Sequence, residues 1–220
     1  MPLTLLFDLD GTMVDTDHLH ISAWNAVLAA EDGRQIDSAF YKTHIMGASA
    51  EAVTSALYPE YGAERRSALS DAKETAFRSR VERLEATAGL PDVLSWAESL
   101  SLRMAVVTNA PRDNALLLLR GLGWATRFSV IVIGEELARG KPDPLPYLTA
   151  MRRLGANASE SIAFEDSLSG VRAAVAAGIE TIGLMTALSA DALRGAGAAT
   201  VVQDFTNPEL IAHLRRRALK

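Results

Sequence analysis

The chain has 220 residues, of which 49% are hydrophobic and 22% charged, and a net charge of −5. That balance suits a globular protein with one substantial core and room for a small satellite domain, and it offers no electrostatic footing for a nucleic-acid partner. There is no cysteine, which excludes a disulfide framework and a thiolate metal site; no apolar stretch approaches a membrane span, and Asp8 interrupts the only early apolar run, so a cytoplasmic protein without a secretory leader is expected.

The first predicted element is a strand over residues 3–7, and it runs directly into Asp8-Leu9-Asp10-Gly11-Thr12. Residues i and i+2 of a strand point the same way, so at its C-terminal end both carboxylates can reach one small space. Open α/β sheets bind ligands at that edge. One carboxylate can attack while the other moves a proton. A calcium loop also begins with spaced aspartates, but it needs glycine at its sixth position and glutamate at its twelfth. Here glycine is fourth and Leu19 is twelfth. A plain turn is the remaining alternative for the pentapeptide taken alone.

Residues 15–87 hold no convincing strand. Leu19, Trp24, Val27 and Leu28 fit one amphipathic helix, with Trp24 expected in a core. Ala52, Val53, Ala56 and Leu57 fit another. Leu69, Ala72, Ala76, Phe77, Val81 and Leu84 fit a long third helix. A helical insertion therefore follows the first strand, beside the two aspartates, where a lid is useful.

Strand and helix patterns then alternate. Strands are predicted over 104–107, 130–133, 161–164, 181–184 and 200–202, apolar almost throughout, as in a sheet buried on both faces. Helices are predicted over 113–122, 144–154 and 169–177, each followed by a glycine stop. Asn207-Pro208-Glu209 opens a last helix, whose basic end Arg215-Arg216-Arg217 complements the helix dipole. The expected fold is α/β, a doubly wound, mostly parallel Rossmann-like sheet with an inserted α-helical cap. The core is assigned to 1–14 and 88–220 and the cap to 15–87.

Three segments join the first. Thr108-Asn109 ends a strand with a hydroxyl and an amide, Gly140-Lys141-Pro142-Asp143-Pro144 puts a lysine before a helix, and Glu165-Asp166-Ser167 ends another strand with two acids. Together with Asp8 to Thr12 they resemble the four motifs of the haloacid dehalogenase superfamily, most of whose members are phosphatases. The resemblance spans essentially the whole chain. It implies that Asp8 is the nucleophile forming an aspartyl-phosphate, and that Asp10 protonates the leaving alcohol and then activates water, for which its pKa must be raised. It gives Mg²⁺ the Asp8 carboxylate, the Asp10 backbone carbonyl and Asp166, with Glu165 a partial ligand or a residue behind the ligands. Thr108, the Asn109 backbone and Lys141 would hold the transferring phosphoryl oxygens. The charges explain the need for the cation and the lysine: two like charges about 4 Å apart repel by about 4 kcal/mol at an effective dielectric near 20, and an anionic nucleophile approaching a phosphate dianion meets that repulsion several times over.

His20 is similar in spacing to a cap histidine of the β-phosphoglucomutase branch, and Lys73 to its cap lysine. Both are expected to face the active site when the cap closes. Mutases of that branch carry valine where this chain has Thr12, and a cap arginine after a Gly-x-Ser loop. Here the loop reads Gly47-Ala48-Ser49-Ala50, and Ala50 offers no donor for a second phosphate. Hydrolysis of sugar or polyol phosphates is therefore favoured over phosphoryl shuttling, with the mutase as the alternative. Dehalogenases lack the second aspartate, and phosphonate-cleaving relatives commonly replace it and use a cap lysine for a Schiff base; Asp10 argues against both, while Lys73 leaves the second open. A non-catalytic binding protein need not keep Asp8, Asp10, Lys141 and Asp166 together. The chain is expected to be a monomer whose partner is a small phosphorylated metabolite, with neither nucleic acid nor membrane involved.

Overall fold

The computed structural model describes residues 3–219. The chain divides into two compact units, one of Met1–Asp15 and Glu85–Lys220, the other of Thr16–Leu84.

Among the described residues the first unit holds six strands: β1 (Thr4–Phe7), β2 (Arg103–Thr108), β3 (Val130–Ile133), β4 (Ser161–Glu165), β5 (Glu180–Leu184) and β6 (Thr200–Val202). They form one sheet in the order β3-β2-β1-β4-β5-β6, and every neighbouring pair is parallel. Parallel neighbours need crossovers, and helices supply them. This is the doubly wound fold expected from the alternating patterns. The central strands are apolar on both sides because both faces are covered. Leu6 joins a cluster with Ala105, Val107, Val132, Ala163 and Tyr147. Phe7, one residue on, stacks on Phe164 with ring centroids 4.9 Å apart, and Phe205 lies 5.1 Å from Phe164.

Among the described residues six α-helices belong to this unit: α5 (Leu90–Ser99), α6 (Arg112–Gly121), α7 (Leu145–Leu154), α8 (Leu168–Ala176), α9 (Ala190–Ala196) and α10 (Pro208–Ala218). The predicted helices over 113–122, 144–154 and 169–177 each start and end within one residue of α6, α7 and α8. Gly155 closes α7 in the left-handed conformation. Asn207 caps α10 by accepting from the backbone N–H of Glu209 and Leu210. At its far end Arg217 pairs with Glu180. α5 and α9 have no counterpart among the elements predicted from the sequence.

The second unit is all helical: α1 (Asp17–Glu31), α2 (Ser38–His44), α3 (Ala50–Leu57) and α4 (Ala63–Arg78). α1 packs on α4, and Trp24, Leu28, Tyr41, Val53, Tyr58 and Leu69 make its core. α2 escaped the sequence pattern because it is short and buries only Tyr41. The long helix expected to reach Leu84 is a correction: α4 stops at Arg78. The Arg80 guanidinium donates to the Ala76 carbonyl at 2.6 Å and to Ser22 Oγ at 3.0 Å, so a side chain replaces the next helical turn and Val81 and Leu84 lie outside it.

Candidate active site

The strand order reverses between β1 and β4: the chain builds β1, β2 and β3 outward, then returns to the other side of β1 for β4. Such a switch point opens a crevice at the strand C-termini. Asp8 follows β1 there, its N–H donating to the Phe164 carbonyl of β4 at 3.0 Å. Glu165 is the last residue of β4, with Asp166 next. Thr108 ends β2 on the opposite flank. The loop after Asp8 folds back on itself: the Leu9 carbonyl accepts from Met13 N at 2.8 Å, and Asp10 bridges Val14. Gly11 sits at φ +79°, and a Cβ there would overlap the Asp166 carboxylate, so both conformation and space call for glycine.

The acids converge. Oxygens of Asp8, Glu165 and Asp166 all lie within 4.8 Å of one another, and all three side chains are buried. Lys141 inserts among them, its Nζ 2.5 Å from Asp8 Oδ1 and 2.6 Å from Glu165 Oε1. Thr12 Oγ1 donates to Asp166 Oδ1 at 3.2 Å. Glu165, with no exposed surface, also accepts from Tyr147 Oη at 2.7 Å and from Ser167 Oγ at 3.3 Å. Both its oxygens are engaged by protein donors, which marks it as the residue that holds Lys141. Asn109 braces the same lysine: its side chain donates to the Lys141 carbonyl at 3.1 Å and accepts from the Lys141 N–H at 3.0 Å. Thr108 Oγ1 accepts from Ala110 N at 2.9 Å and shapes the turn after β2.

Electrostatics follow from burial. Desolvation pushes the Asp8 carboxyl up to about 8, against the pull of Lys141 and with further upward push from Glu165 and Asp10. Burial opposes the charge on Lys141, but Asp8 and Glu165 outweigh it and hold the ammonium above its usual range. Burial, and then Glu165, keep the Tyr147 phenol protonated well above its ordinary value. Once Asp8 ionises, one ammonium faces three close carboxylates and negative charge is left uncompensated. An all-oxygen donor set of that kind suits a hard divalent cation, so these residues fit a metal.

In the helical unit, His20 and Lys73 also come together. Lys73 Nζ lies 2.9 Å from His20 Nδ1 and 2.8 Å from Glu74 Oε1. Lys73 is buried, and the His20 ring stacks on Phe77 at 4.3 Å. Ala50 opens α3 behind the Ser49 cap.

Residues 5–184 match the family described as haloacid dehalogenase-like hydrolase. The chain belongs to the haloacid dehalogenase-like hydrolases. Within that family it is similar to the phosphorylated carbohydrates phosphatase of Thermotoga maritima, 33% identical over 98% of this chain and 99% of the relative. It is also similar to the phosphoglycolate phosphatase of Rhodospirillum rubrum, 32% identical over 94% of this chain and 89% of that one. Among solved structures, CbbY from Rhodobacter sphaeroides in complex with phosphate superposes with a TM-score of 0.86 at 26% identity, covering 98% of this chain and 100% of that one. The family membership agrees with the motif resemblance. Tyr147 and the side-chain role of Asn109 were not foreseen. An aromatic residue on an apolar helix face reads as core, and nothing in the sequence shows where its hydroxyl ends.

Proposed function

We propose that this hydrolase is a Mg²⁺-dependent phosphatase of small phosphomonoesters, sugar or polyol phosphates, working through an aspartyl-phosphate at Asp8. The observation that carries the proposal is the Asp8–Lys141–Glu165 arrangement at the switch point, where the buried Asp8 carboxyl group has an ammonium 2.5 Å away. Its similarity to phosphatases of phosphorylated carbohydrates and of phosphoglycolate supports the same reading.

An Asp8 oxygen attacks phosphorus, and the bond from phosphorus to the alcohol oxygen breaks. Asp10 gives its proton to the departing oxygen. The resulting Asp10 carboxylate then takes a proton from the water that attacks the acyl phosphate, releasing phosphate and restoring Asp8. Lys141 faces the charge on the transferring oxygens, Asn109 keeps the lysine backbone in place, and Thr108 and the Asn109 N–H supply donors at the end of β2. Asp8, Asp166 and the Asp10 carbonyl would hold the Mg²⁺, which when bound neutralises charge shared between nucleophile and phosphate. We assign the helical unit the role of a substrate-selecting cap, with His20 and Lys73 as its polar pair. The absence of an arginine at Ala50 is the reason to prefer hydrolysis over transfer between two phosphates.

The test is phosphate release from a panel that includes sugar, polyol and nucleotide phosphates and phosphoglycolate, with Mg²⁺ or EDTA, for wild type and Asp8→Asn. Release that needs Mg²⁺ and vanishes in Asp8→Asn supports the proposal. Conversion of glucose 1-phosphate to glucose 6-phosphate faster than phosphate release overturns it in favour of a mutase.

A further inference from the structure

Behind the nucleophile runs a chain of contacts that ends in the apolar core. Asp8 Oδ1 meets Lys141 Nζ at 2.5 Å, the same Nζ meets Glu165 Oε1 at 2.6 Å, and that one oxygen also accepts from Tyr147 Oη at 2.7 Å. Tyr147 is fully buried on α7, with its ring among Leu6, Val107, Val132 and Ala163. Phenylalanine would fill that space equally well. The hydroxyl is a polar atom in an apolar layer, and such an atom is kept in a core only where it finds a partner. Its partner is the carboxylate that holds the lysine. The ring itself lies under the ammonium, with its centroid 5.3 Å from Lys141 Nζ.

We propose that Tyr147 is a positioning residue whose hydroxyl anchors Glu165 Oε1 and thereby fixes the Lys141 ammonium against Asp8. Lysine is a point charge on a flexible four-carbon stem and cannot set its own direction. Asn109 fixes its backbone at one end. At the other end only a stationary counter-charge can fix its head. Glu165 is stationary because Tyr147 and Ser167 each take one of its oxygens, and because Gly170 of α8 leaves space only for the carboxylate itself, a Cβ there overlapping it. Without the hydroxyl, Glu165 Oε1 keeps Lys141 as its sole partner and the two can move together away from Asp8.

The kinetic half of the test rests on the phosphatase proposal. Tyr147→Phe, which keeps the ring, lowers kcat about tenfold with KM little changed, equivalent to about 1.4 kcal/mol of lost transition-state stabilisation. In a Glu165→Gln background the same substitution changes kcat by less than about twofold, because the anchored charge is already gone. A purely structural role for Tyr147 predicts equal losses in both backgrounds. The second readout needs no turnover: the ¹⁵Nζ resonance of Lys141, assigned by its disappearance in Lys141→Arg, shifts and broadens in Tyr147→Phe. An unchanged resonance with unchanged kcat, or equal kcat losses in both backgrounds, overturns the proposal. A wild type that releases no phosphate refutes the phosphatase proposal alone, and the ammonium resonance then decides the role of Tyr147.

Discussion

Asp8→Asn is expected to abolish activity and to remove a pH-dependent weakness from the fold. The Asp8 carboxyl is raised from its ordinary 3.8 to about 8, chiefly by burial. Between those values the folded protein keeps a proton that the unfolded chain has released. The stability this proton contributes is complete below the unfolded pKa and is lost as pH rises through the folded one. The slope is about 1.4 kcal/mol per pH unit for one proton, so wild type in EDTA loses about 3 kcal/mol between about pH 5 and pH 7 on this account alone. Asparagine keeps the shape and an acceptor oxygen for Lys141, but has no proton to lose. Urea denaturation in EDTA across that range gives the slope directly. Wild type should weaken with rising pH, Asp8→Asn should weaken by about one proton's slope less, and added Mg²⁺ should flatten the wild-type slope by drawing the carboxylate into its ionised form. Identical slopes for the two proteins would refute the argument that desolvation governs Asp8.

The same displaced proton predicts that Mg²⁺ binding releases about one proton below pH 8 and tightens as pH rises towards it, measurable by calorimetry in buffers of different ionisation enthalpy. Gly170→Ala sits in a helix, where alanine is ordinarily better by about 1 kcal/mol, yet its Cβ would overlap the Glu165 carboxylate. The expected outcome is a lower melting temperature together with reduced kcat, and a raised melting temperature would contradict the packing described. Asn109→Ala removes both hydrogen bonds to the Lys141 backbone, and a fall in kcat of roughly tenfold is expected at about 1.4 kcal/mol. Asn207→Ala deletes the α10 cap at a cost of about 1 kcal/mol in unfolding free energy, with kcat unchanged.

Much of this was legible in the chain because the signals were local. Each buried strand is a run of apolar residues, and the left-handed glycine after α7 and the Asn207-Pro208 start of α10 are stop and start signs that act over a few residues. The acids at strand ends were legible for the same reason: a parallel sheet brings its C-termini to one edge whatever the details of packing. What stayed hidden depended on side-chain reach across the fold. Arg80 ends α4 early by bonding Ala76 and Ser22, although the apolar spacing continues to Leu84. Glu165 could be read as a ligand or a supporting acid, and its engagement by Lys141, Tyr147 and Ser167 depends on residues up to 24 positions away. α2 buries a single residue and leaves almost no periodicity to read.

The central claim is that Asp8 takes the phosphoryl group, and the most direct test is to look for it there. The best substrate from the panel is mixed with enzyme and Mg²⁺, quenched in acid within a turnover, and the peptide containing Asp8 is examined by mass spectrometry before and after borohydride reduction. A phosphoryl adduct on Asp8, reduced by borohydride and absent from Asp8→Asn, is the predicted result. Steady phosphate release with no adduct at any time after mixing, and with Asp8→Asn still turning over, would contradict it.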